Sequence, residues 1–144
     1  MSPNNQILFK AEDAMAALIS TILEKLEGCS IHLGGQSDGL KIPYIGIIAD
    51  TGEERQPRGK GNWTVNGKIE IHTSADDQGR ELRKRIVGHV ADLLSSSTIA
   101  DDLTRSISDF TCHGFLIGNP SQKVEDRTHI YSIEFVAACC GSDV

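Results

Sequence analysis

A chain of 144 residues with 39% hydrophobic content suits one domain and can bury roughly 70% of the surface its unfolded form exposes. Its net charge of −6 argues against a general nucleic-acid binder, which needs a clustered cationic face; the acids are scattered and speak to solubility. Aromatic content of only 5% leaves the core to Ile, Leu and Val.

The first expected element is a helix over Ala11–Glu27, where Met15, Leu18, Ile19, Ile22, Leu23 and Leu26 recur at three- and four-residue steps and form one apolar stripe. Gly28 follows as a left-handed stop. The Gly-rich stretch "GCSIHLGGQSDGLK" does not match G-x-G-x-x-G and reads as a turn-rich crossover. Pro43–Asp50 is a strand with an almost wholly apolar centre. A second strand starts at Trp63, where Trp63, Val65, Ile69 and Ile71 alternate with polar residues. Asn66-Gly67 is a hairpin signal, yet the odd-numbered apolar face stays in phase across it, so a single strand bulged at Gly67 is expected.

A second helix enters through Ser74-Ala75-Asp76-Asp77. Leu82, Ile86, Val90, Leu93 and Leu94 make its stripe, with Arg80, Arg83, Lys84 and Arg85 on its outer faces. Ser95–Ser97 break it, and Thr98 is expected to cap a third helix carrying Ile99, Leu103 and Ile107, with Asp101 as a capping-box acid. Strands over Phe110–Ile117 and His129–Cys140 follow, joined by the polar connection "GNPSQKVEDR". The order α-β-β-α-α-β-β implies an α+β domain: a mostly antiparallel sheet of about four strands packed against amphipathic helices. Residues 1–144 form one domain, with 1–10 and 141–144 expected to be flexible ends.

No basic segment followed by an apolar stretch opens the chain, so no signal peptide is expected. No run approaches the ~18 apolar residues that cross a bilayer. Cys29, Cys112, Cys139 and Cys140 lack C-x-x-C or zinc-like spacing and read as free thiols of a reducing compartment.

Chemistry is hard to find. Gly59-Lys60 is followed by Gly61 and leads into a strand, which fails the phosphate-loop pattern twice. Asp50, Glu53, Glu54 and His72 could suggest acid–base work, but a general base needs a desolvated site or a charged neighbour. Glu53 and Glu54 fall in a charged, Gly-rich insert, and His72 falls on the polar face of its strand, in a solvated or partner-facing position. Cys112-His113 are consecutive on a strand, so their side chains diverge. The basic residues Arg80–Arg85 are interrupted by Glu81 and lack aromatics for base stacking, so they read as a solvated face or a rim that meets an acidic partner. No catalytic residue, cofactor or metal is expected.

The stretch "IPYIGIIADTGEERQPRGKGNWTVNGKIEIHTSADD", followed by "LRKRIVGHVADLLS" and later by "RTHIYSIEFVAAC", resembles the tail-terminator and tail-completion proteins of long-tailed bacteriophages. The resemblance spans about Ala11 to Cys140 and rests on soft strand-and-loop patterns. It implies a structural virion protein that assembles with itself as a ring, typically a hexamer. That ring would cap the tail tube at the head-proximal end of the virion tail and present the head-joining surface, after assembly in the host cytoplasm. The implied partners are the tail-tube protein and a head-completion or connector protein, with no membrane and no specific nucleic acid. A ring subunit offers two different surfaces to its neighbours, and mixed charges steer and register such contacts. Glu53, Glu54, Arg55, Arg58 and Lys60 form one candidate contact set; Gln122, Lys123, Glu125, Asp126 and Arg127 form the other. The alternatives are a neck connector, a nucleic-acid module, or an enzyme whose site forms between subunits from His72, His113 or Cys112.

Overall fold

The computed structural model describes residues 6–26, 28–34, 40–54 and 62–141. Helix α1 spans Ile7–Ser20 and is followed by a 3₁₀ turn at Leu23–Lys25. It starts four residues ahead of expectation because Ile7, at 3% exposure, extends the stripe of Ala11, Ala14, Met15, Leu18 and Ile19 by one turn. Gly28 supplies the left-handed residue after it, with φ 73°. Then come β1 (Ser30–Leu33), β2 (Tyr44–Glu54), β3 (Asn62–Ser74), α2 (Asp77–Leu94), α3 (Ile99–Ser106), β4 (Phe110–Glu125) and β5 (Thr128–Gly141).

The strands form one sheet in the order β1-β2-β3-β5-β4. The expected α+β class holds, but the sheet has five strands and is mixed. Its extra member, β1, lies in the stretch expected to be a crossover and pairs parallel with β2; every other pair is antiparallel. The bulge also sits elsewhere. β3 stays in unbroken register with β5, and the irregularity falls on β2, between Ala49 and Thr51. Gly67 is needed for another reason: a Cβ there would strike the Ile48 carbonyl and come within 2.6 Å of the Phe135 ring. The directly opposed Phe135 fills the space the missing side chain leaves.

Cross-strand rows build the core. Ile47, Ile69 and Ile133 stand side by side, as do Ala49, Gly67 and Phe135, then Val65 with Ala137. Against this face α1 packs over β2, α2 over β3 and α3 over β4. Among the described residues, nine isoleucines and a few Leu, Val and Phe are buried in this core, as the low aromatic content requires.

Helix α2 is capped by Asp76, whose Oδ1 accepts the Gly79 N–H at 2.7 Å. Its buried stripe runs Gly79–Arg83–Ile86–Val90–Leu94, so Arg83 points inward and not outward as expected. Thr98 precedes α3 without capping it; its hydroxyl donates to Asp102 at 3.0 Å, and Asp101 has no part in the cap. Strand β4 runs eight residues past Ile117. Most of the polar connection is therefore strand, and only Asp126 and Arg127 form the turn, with φ 45° and 66°. Two left-handed residues in succession are what a tight two-residue hairpin demands. β4 lies at the sheet edge, is broken by bulges near His113 and Gly118, and carries Pro120. Beside the first bulge, Thr104 Oγ1 of α3 accepts the Cys112 N–H at 2.9 Å.

Candidate functional site

The described members of the two expected contact sets fall at opposite poles of the sheet. Glu53 and Glu54 end β2 opposite Thr64 and Trp63, and both are exposed. Arg55, Arg58 and Lys60 lie outside the described residues. Gln122, Lys123 and Glu125 sit on β4, where a loop was expected, and Asp126-Arg127 form the tip; all five are exposed. Lys123 pairs with Glu125 at 3.0 Å, an exposed contact of little energetic weight. Thr64 marks one pole on β3, and Ser74, beside Thr128, marks the other. Ten residues of strand separate them by about 33 Å.

Between the poles, the sheet face opposite the helices carries a row of polar groups. Glu70 accepts from His72 Nε2 at 3.2 Å and lies 3.5 Å from Lys68 Nζ. The bond from His72, reinforced by Lys68, holds the Glu70 carboxyl below its ordinary range against partial burial. His72 also stacks on Tyr44 with centroids 4.2 Å apart, and His32 meets the other side of Tyr44 edge-on at 5.4 Å. His72 is therefore 7% exposed and not solvated: it does lie on the polar face, but Tyr44 and Ile130 flank it there. A groove of about 710 Å³ crosses this face, lined among others by Asp50, Lys68, Glu70, Lys123 and Glu134. Leu116 and Val136 are exposed beside each other on the same side.

Three of the four thiols lie together at one end of the β4–β5 pair, and Cys29 precedes β1. Cys112 and Cys139 face each other across β4 and β5 and are buried; burial pushes the Cys139 thiol up to about 12 and Cys29 to about 11. Protonated thiols of this kind are poor nucleophiles. His113 does not meet Cys112, as divergence on a strand requires. Its Nε2 lies 3.6 Å from Cys140 Sγ, across the strand pair and beside the bulge. Among the described residues no three His, Cys, Asp or Glu side chains are grouped to hold a metal ion, and no helix is long and apolar enough to cross a membrane.

This fold recurs in a virion. A chain in the virion of a native gene transfer agent particle superposes with TM-score 0.56 at 15% identity, over 88% of this chain and 84% of that one. No protein-family model matches the sequence, and no curated protein does. Sequence reasoning picked out both polar stretches by residue type and took the second for a loop. It missed the burial of His72 between Tyr44 and Ile130 and the inward turn of Arg83, for which the one available signal was Arg83's place in the four- and three-residue steps from Gly79 through Ile86.

Proposed function

We propose that this chain is a structural virion protein: a tail terminator that forms a ring, hexameric by its family resemblance, on the head-proximal end of a tail tube and offers the surface that joins the head. The observation that carries the reading is the shared fold with a chain of a gene transfer agent virion over 88% of the length. Two further features support it. The described members of the exposed polar sets stand at opposite poles, which gives the two different surfaces that a head-to-tail contact uses. The lining of the polar groove mixes both signs of charge, which suits docking.

Electron microscopy of the purified protein, alone and with tail-tube subunits, tests the proposal. Rings that cap tubes are the expected result. A protein that leaves tubes bare and binds portal-side subunits is a neck connector, and that outcome would refute the terminator role. Replacing Arg55 and Arg58 by Glu should leave circular dichroism unchanged while weakening assembly measured by light scattering.

A further inference from the structure

Helix α2 and the outer half of the β4–β5 hairpin enclose a pocket of about 340 Å³ lined by Arg80, Arg83, Lys84, Val87, Gln122 and Tyr131. Three cations share one recess. Arg83 is 6% exposed and donates to Thr73 Oγ1 at 2.9 Å. Among the described residues it has no carboxylate partner. Arg80 and Lys84 share the single carboxylate of Glu81 at 3.8 and 3.7 Å, on the exposed side of the helix. Burial and the nearby Arg80 both work against the charge on Arg83, which a guanidinium nevertheless keeps. His129, close enough to Arg83 to feel its charge, holds a buried Nε2 with no hydrogen-bond partner. A buried cation supported by one hydroxyl leaves its desolvation cost largely uncompensated. The recess is short of an anion.

Its shape and the charge of the chain select the anion. At about 340 Å³ the recess has room for a side chain, and a chain of net charge −6 disfavours a long polyanion. The opposite pole carries Glu53, which is exposed and makes no ion pair among the described residues. Exposed Asp109, just before β4, lies at that pole as well. Glu53 pairs with Thr64 and Tyr131 with Ile71, so acid and recess stand about 23 Å apart along β3. They cannot meet within one subunit, but they can meet between two. We propose that the recess receives a carboxylate from a second copy of the chain, supplied by Glu53. This rests on the ring reading above and names the contact that sets its register.

The test uses exposed residues whose replacement spares the core. Arg80→Glu with Lys84→Glu should weaken self-association in sedimentation velocity at least about tenfold, with circular dichroism unchanged. Glu53→Lys alone should do the same, and combining it with the Arg80→Glu and Lys84→Glu changes should restore association. A doubly reversed recess that associates like the native chain, or a triple variant that fails to recover, would overturn the assignment while leaving the ring reading standing. If the native chain stays monomeric at every concentration, assembly waits for the tail tube, and calorimetry with a synthetic Ile48–Glu54 peptide then decides the recess. Binding that disappears on reversal of Arg80 and Lys84, and on Glu→Gln exchange in the peptide, sustains it. Absent binding, binding indifferent to those changes, or binding of a DNA oligonucleotide in the peptide's place overturns it.

Discussion

Glu12 is an acid on the buried face of α1, 5% exposed, and its Oε2 accepts the Ala49 N–H at 2.9 Å. Ala49 adjoins the β2 bulge, so the carboxylate ties helix to sheet where the strand is irregular. Glu12→Ala removes the acceptor and leaves a buried N–H unpaired, which costs about 1–3 kcal/mol. The same change removes a desolvated acid repelled by Asp13 and Asp50, which offsets part of that loss. A net destabilisation of about 1–2 kcal/mol follows, and at ~2–4 °C per kcal/mol for a chain of this size the Tm falls by roughly 2–8 °C. Glu12→Gln keeps an acceptor oxygen and should lose less than half as much in urea unfolding at neutral pH. Burial raises the folded Glu12 carboxyl above its ordinary value of 4.5. The folded state therefore keeps a proton that the unfolded state has released, and native stability declines as pH rises from 4.5 through the folded value. Glu12→Gln lacks this decline, so its Tm should gain on the native chain as pH rises through that window. A Glu12→Ala protein as stable as the native one, or a Glu12→Gln protein as damaged as Glu12→Ala, would refute the reasoning.

Gly67→Ala should cost about 1–3 kcal/mol by overpacking against Ile48 and Phe135, while Gly46→Ala, whose Cβ would meet nothing closer than 4.0 Å, should lie near the native chain in the same thermal melts. Glu70 has a lowered folded pKa, so its contribution is present above its ordinary 4.5 and lost as pH falls through the folded value. Glu70→Gln should flatten the acid limb of a Tm–pH profile below about 4.5, and an unchanged limb would count against the His72–Glu70 bond.

The helices and the four antiparallel strands were legible because each buries one face, and one buried face imprints a period on the sequence. β1 was not legible: four residues of half-exposed Ser-Ile-His-Leu carry too little period to stand out from flanking glycines. The outer half of β4 was hidden for the opposite reason. At a sheet edge with residues 118–125 exposed, "GNPSQKVE" shows no apolar alternation and reads as a loop. The bulge was misplaced because the phase of one strand cannot report an extra residue on its neighbour. Of the candidate site, only the type of charge was readable. That the two sets lie a sheet's length apart depends on strand pairing, which no local pattern encodes, and the inward turn of Arg83 depends on how far α2 rolls over the sheet.

The blunted rim of β4 has a consequence for the life of the molecule before assembly. Pro120 and two interruptions spoil its backbone as a template, so loose copies are guarded against zipping into fibres while they wait. In the proposed ring, adhesion would then pass through side chains, whose strength yields to ionic conditions, so that subunits stay apart until the geometry of a docking platform gathers them.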